Sequence, residues 1–171
     1  MNNVETRYLA SEINKTQSIA SLQKQKDAKY RVSTKNIIIQ HKNMSQRLNI
    51  SSGSPFEDTF GYCRAVKTGN LLEISGTVAL IDAEKVTADD FYAQTYNIIE
   101  RIAVVLEEAG SSLKDVVRTR IFTTDISQNL EIARAHAHFF GDVKPTTGIY
   151  EISALIAPQY KVEIEFTAWV S

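Results

Sequence analysis

At 171 residues with 43% hydrophobic side chains, the chain has room for one packed domain and a modest appendage. Its apolar runs, such as Ile102-Ala103-Val104-Val105-Leu106, fall far short of the roughly 20 residues a bilayer crossing needs, and the lone Cys63 excludes an intrachain disulfide or a cysteine-based zinc cluster. The net charge of −1 hides an asymmetry: residues 1–43 carry eight basic and three acidic side chains (+5) and the remainder 11 and 17 (−6), so the larger part repels phosphate backbones and nucleic acid is not its expected partner.

Residues 1–43 are rich in Asn, Gln, Lys and Ser and contain neither Gly nor Pro. Ile19, Leu22 and Ala28 could share the face of a weak helix, and Ile37-Ile38-Ile39 is the one apolar cluster. Such a segment buries little surface and reads as an extension. Three origins stay open: a start mis-assigned ahead of Met44, an unstructured basic tail, or an organelle transit peptide. Glu5, Glu12 and Asp27 spoil the acid-poor signature of the last. With no secretory apolar region near Met1, the expected compartment is the reducing cytoplasm.

From Met44 onward the pattern is that of a compact domain. Gln46 to Ser51 reads as a strand and Ser52-Gly53-Ser54-Pro55 as a turn. Tyr62 to Lys67 and Leu71 to Ser75 are short strands joined through Thr68-Gly69-Asn70 as a hairpin, and Thr77 to Ile81 extends the sheet. A helix follows from about Asp89 to Glu108, with Thr87 or Asp90 as its cap. Its inner face carries Phe91, Ile98, Ile102, Val105 and Ala109, and Gly110 closes it in a left-handed turn. Val116 to Thr124 alternates, placing Val117, Thr119, Ile121 and Thr123 on one side and Val116, Arg118, Arg120 and Phe122 on the other.

Ser127 suits the cap of a second helix, Gln128 to Phe140, with Leu130, Ala133, Ala137 and Phe140 as its apolar stripe and Gly141 at its end. Ile149 to Leu155 and Lys161 to Val170 are the last strands. This order predicts an α+β fold in which two helices cover one face of a mixed β-sheet. The other face carries Lys161, Glu163, Glu165, Thr167 and Trp169 beside Arg118, Arg120 and Phe122. Apolar surface of that kind is rarely left open, so the face is expected to pack against further subunits.

Several stretches carry a resemblance when taken together: Gly61-Tyr62-Cys63-Arg64-Ala65-Val66, Ser75-Gly76-Thr77, Ala93-Gln94-Thr95, Ala109-Gly110-Ser111-Ser112-Leu113, Phe139-Phe140-Gly141-Asp142, Tyr150-Glu151-Ile152 and Val162-Glu163-Ile164-Glu165. In order and spacing, residues 44–171 resemble the RidA/YjgF (reactive-imine deaminase) family. Residues 1–43 match nothing in it.

The resemblance implies a chorismate-mutase-like homotrimer whose three sheets form a barrel, with a small-molecule cleft between each pair of neighbouring subunits. It implies hydrolysis of an imine or enamine of a small metabolite to a carbonyl and ammonia, with no metal or organic cofactor. Residue by residue, Glu163 corresponds to the acid associated with the attacking water, Tyr62 to the cleft tyrosine, and Ser75 with Gly76 to the cleft lining. Phe122 is a plausible wall.

The family's carboxylate-binding arginine follows a proline by two residues. In Pro145-Thr146-Thr147-Gly148 that position is Thr147, and Ala133 stands where the second helix usually carries an asparagine. The chain resembles arginine-lacking branches, so a substrate other than 2-iminobutanoate is expected. Arg64 or Arg120 could supply the missing cation, although either could equally be a structural ion-pair partner. His136 could serve as a cleft acid or base. His138, two positions on, faces elsewhere, so the two do not form a metal pair. Glu163 could instead pair with Arg118 or Arg120. A non-catalytic ligand-binding trimer and an RNA-acting protein remain alternative readings.

Overall fold

The computed structural model describes residues 17, 18, 20–28, 46–81 and 86–170. Residues 1–45 and 46–171 form two separate units. In the first, 20–28 are helical and exposed, with Leu22 55% accessible. The Ile37-Ile38-Ile39 cluster lies outside the described residues.

The second unit contains β1 (Arg47–Ile50), α1 (Pro55–Phe60), β2 (Ala65–Thr68), β3 (Leu71–Val78), α2 (Phe91–Glu108), β4 (Val116–Thr123), α3 (Asn129–Phe140), β5 (Thr146–Glu151) and β6 (Val162–Trp169). The six strands form one sheet in the order β1-β2-β3-β6-β4-β5. β4 and β5 run parallel, and the other neighbours run antiparallel. This is the expected mixed α+β sheet. The β2–β3 hairpin turns at Gly69-Asn70, with Gly69 at φ 59.

α1 replaces the expected open turn. Ser54 caps it, Pro55 occupies its first turn, and Glu57 and Asp58 face the positive end of its dipole. The buried Glu57 carboxylate accepts bonds from the Ser51 hydroxyl and from the Ser52 amide and hydroxyl. These bonds hold its pKa below the ordinary carboxylate value.

One face of the sheet is dry. Val162, Ile164, Phe166 and Ala168 of β6 meet Ile98, Ile102 and Leu106 of α2 in a single core. Asp90 caps α2 as expected, and Gly110 is left-handed at φ 73. α3 departs from its expected stripe: Leu130 is 76% exposed and Ala133 and Ala137 are exposed, while Ile132, Ala135 and Phe140 are buried. A 3-10 turn at Ile126–Gln128 precedes α3. The left-handed residue after this helix is Lys144 (φ 53), while Gly141 keeps right-handed geometry.

Two bulges adjust the strands. Between Val116 and Arg118 the β4–β6 register slips, so Val116 is buried and Val117 turns outward, the reverse of simple alternation. Between Ile74 and Thr77 the β3–β6 register slips in the same way and leaves Ser75 and Gly76 out of step. On the uncovered face Leu71 and Trp169 are register partners and are 37% and 57% exposed.

Candidate functional site

The β3 bulge sets the first cluster. Glu163 lies on the uncovered face of β6, opposite Val78 on one side and Phe122 on the other. Gly76 provides its seat: a Cβ at that position would lie 1.9 Å from Glu163 Oε1 and 2.9 Å from its carboxyl carbon. Among the described residues none donates a hydrogen bond to this carboxyl. Burial pushes its pKa above the ordinary value, the nearby Glu165 carboxylate adds to the rise, and the Arg64 charge opposes it.

Arg64 is 8% exposed and runs along β3 beyond the end of β2. Its Nη1 donates to the carbonyls of Ser75 (3.3 Å) and Gly76 (2.9 Å) and to Thr77 Oγ1 (2.8 Å). Arg101 from α2 donates to the next outward carbonyl, that of Val78. Two guanidinium groups therefore take the place of a neighbouring strand. Arg64 Nη2 lies 3.5 Å from the Tyr62 hydroxyl, and its carbon sits 5.8 Å from the Tyr62 ring centre. Its Nε has no hydrogen-bond partner among the described residues. The Ser75 hydroxyl donates to the Cys63 carbonyl at 2.9 Å, and the Cys63 thiol turns back to its own chain at the Ala65 carbonyl.

Arg120 is committed to Glu165 at 2.9 Å. It therefore pairs with the neighbour of Glu163 and leaves Glu163 free. Phe122 and Tyr150 lie with ring centres 6.0 Å apart. Tyr150 uses a second glycine seat, because a Cβ on Gly148 would come within 2.4 Å of its hydroxyl oxygen. The two rings form one wall beside Glu163.

A second cluster sits on the other side of the sheet. Thr147 pairs in register with Thr119, whose side chain is buried under α3. Thr119 Oγ1 lies 3.1 Å from His136 Nε2 and 3.0 Å from Thr147 Oγ1. Burial lowers the His136 pKa, so its ring is neutral at pH 7. His138 is exposed and packs on Tyr96 and Phe139.

The family profile described as Endoribonuclease L-PSP matches residues 54–170, which contain both clusters. The chain belongs to this family, the RidA/YjgF family. A crystal structure of a YjgF/YER057c/UK114 family member from Mycobacterium tuberculosis superposes with a TM-score of 0.67 at 46% identity, covering 73% of this chain and all of that one. A RutC family protein from Pyrococcus abyssi is 34% identical over 96 residues, covering 55% of this chain and 75% of the relative. The 3-aminoacrylate deaminase RutC of Acinetobacter baylyi is 32% identical over 110 residues, covering 64% of this chain and 86% of that protein.

Within this RidA/YjgF domain, Tyr62, Arg64, Ser75 and Gly76 gather around the bulge beside Glu163, with Arg120 and Phe122 on the adjacent β4. Thr147 and His136 are not part of that group. Thr147 lies two strands from Glu163, about 10 Å at ~4.8 Å per strand, and His136 reaches Thr119 of β4 from α3, both on the opposite face of the sheet. Thr119 and Tyr150 were not anticipated as site residues. A threonine on the inward side of β4, directly between Val117 and Ile121, was the available signal for Thr119. A glycine two residues before the ring was the signal for Tyr150.

Proposed function

We propose that residues 44–171 hydrolyse the imine or enamine of a small metabolite, with Glu163 as the acid–base group. The observation that carries this reading is the Glu163 carboxyl itself: half-buried over Gly76, without a hydrogen-bond donor, and with its pKa raised. A carboxyl in that state holds or releases a proton closer to neutral pH than an exposed one, as proton transfer at pH 7 favours. Water adds to the carbon of C=N while Glu163 takes one of its protons and passes it to the nitrogen, which gives the neutral aminol. A second transfer, from the aminol hydroxyl through Glu163 to the nitrogen, accompanies cleavage of the C–N bond and leaves the carbonyl and ammonia. An imine and water thus become a carbonyl compound and ammonia, and an enamine first tautomerises to the imine. These steps need only acid–base groups. Phe122 and Tyr150 offer the apolar wall.

Glu163 and Thr147 of a single copy cannot reach one small molecule, since they lie on opposite faces of the sheet. The proposed assembly is therefore a homotrimer in which the Glu163 half of one subunit faces the Thr147 half of the next. The name of the A. baylyi relative, a 3-aminoacrylate deaminase, agrees with enamine chemistry. The family profile's description favours an RNA-acting reading instead. Against it, Arg120 on the uncovered face is neutralised by Glu165, and the domain carries an acidic excess.

The test is carbonyl and ammonia release from imines generated in situ by an amine or amino-acid oxidase. Wild-type turnover is expected, with a loss of about 100-fold or more in Glu163→Gln. Turnover that survives this substitution removes Glu163 from the chemistry. Saturable ligand binding without turnover supports the binding-protein alternative.

A further inference from the structure

The Thr119–His136–Thr147 chain has a property that the hydrolytic reading does not use. Thr119 is 1% exposed and His136 is half-buried, its ring 4.7 Å from that of Phe140, yet Thr147 at the end of the chain is exposed. A histidine capped by one threonine can be purely structural. Here a second hydroxyl carries the polarity of the core out to the surface of edge strand β5.

The direction of this chain depends on the imidazole tautomer. With the proton on Nδ1, His136 Nε2 accepts from Thr119, Thr119 accepts from Thr147, and the outer lone pair of Thr147 is left to accept. With the proton on Nε2 each bond reverses, and the Thr147 hydroxyl is left to donate, either to the Pro145 carbonyl at 3.2 Å or to a ligand. Thr147 thus offers a donor or an acceptor at no cost in ionisation.

Among the described residues of one copy no cation is bonded to it: Arg118 and Arg120 belong to the other face of β4, and no hydrogen bond joins Lys144, on the turn before Pro145, to Thr147. In the proposed assembly the facing half brings Arg64 and Arg120, which are already committed to the carbonyls of Ser75 and Gly76 and to Glu165. A carboxylate arriving here would lose water without gaining a charge partner, whereas an uncharged amide or hydroxyl would keep its hydrogen bonds.

We infer that the Thr147 end of this chain is a specificity subsite for an uncharged hydrogen-bonding group, a carboxamide or hydroxyl, so that the preferred ligands lack a carboxylate at that end. This rests on the proposed function for the reacting end of the ligand and not for the subsite itself.

The test uses the full chain with two non-reacting probes of equal size that differ only in the amide and the carboxylate, isobutyramide and isobutyrate, and reads the His136 ring nitrogens by 15N NMR. Isobutyramide is expected to shift the His136 signals saturably, with isobutyrate at least about tenfold weaker. Thr147→Val, which removes only the hydroxyl, should abolish the isobutyramide response, and Thr147→Arg should reverse the preference. Isobutyrate binding as tightly as isobutyramide, an unchanged response in Thr147→Val, or no His136 response to isobutyramide overturns the inference. Since neither probe reacts, a positive binding result beside absent imine turnover sinks the proposed function alone. Turnover with isobutyrate preferred sinks the subsite alone.

Discussion

The carboxyl of Glu163 occupies the space that a side chain on Gly76 would fill. The bulge between Ile74 and Thr77 brings that Cα to face β6, and a Cβ there would overlap Oε1 at 1.9 Å. The obstruction falls on the far end of a flexible side chain. Gly76→Ala should therefore fold, at a cost of about 1–2 kcal/mol, while displacing the carboxyl and lowering imine turnover by about 100-fold. Thermal melts beside turnover check this, and an alanine variant with full activity contradicts it.

Protonation should move stability in opposite directions at the two clusters. The Glu163 pKa is raised in the fold, so the native state holds its proton longer and stability falls as pH rises from about 4 through the folded value. Glu163→Gln should consequently melt higher than wild type at pH 7 and match it near pH 4. The His136 pKa is lowered, so its contribution is complete above about pH 6.5 and is lost as pH falls towards the folded value. His136→Gln should flatten the melting curve between pH 7.5 and 5.5. Melting temperatures across pH 4–8 for the three proteins decide both points.

Arg64 should matter through the bulge before it matters through its charge. Arg64→Met leaves the carbonyls of Ser75 and Gly76 without their donor and should cost about 2–4 kcal/mol. It should also raise the Glu163 pKa further, because Arg64 is the group that opposes the rise. Arg64→Lys restores a charge but not the three-way contact of Nη1, so it should recover part of the pKa and less of the stability. Urea unfolding and carboxyl 13C titration separate the two effects.

The uncovered face is proposed as the contact between subunits. Trp169 and Leu71 are its exposed register pair. Trp169→Glu should convert the proposed trimer to monomers in sedimentation equilibrium, whereas Arg120→Met should cost under about 1 kcal/mol of monomer stability, its ion pair being partly exposed. A wild-type chain that sediments as a monomer at micromolar concentration contradicts the assembly.

The sheet and its dry face were legible because alternation is local. Val162, Ile164, Phe166 and Ala168 are buried and Glu163 is not, as the spacing implies. Asp90 and Gly110 announced the ends of α2 for the same reason. What escaped depends on register. Neither bulge can be read from one strand, yet one turns Val117 outward and the other opens Gly76 to Glu163. Leu130 was misplaced because Leu130-Ala133-Ala137 and Ile132-Ala135-Phe140 are both apolar sets on α3, and packing decides which of them faces the sheet. Correspondence with a family arginine drew attention to Thr147, but only its pairing with Thr119 reveals the face on which it stands.

Arg64 and Arg101 also govern how copies of the chain can meet. An unclaimed row of carbonyls along β3 would invite a stranger's backbone to zip on, the first step towards fibrils. With both guanidinium groups already bonded there, and each positively charged, one molecule presents to another a rim that is at once occupied and repellent. Growth by adding strands along this stretch is therefore discouraged.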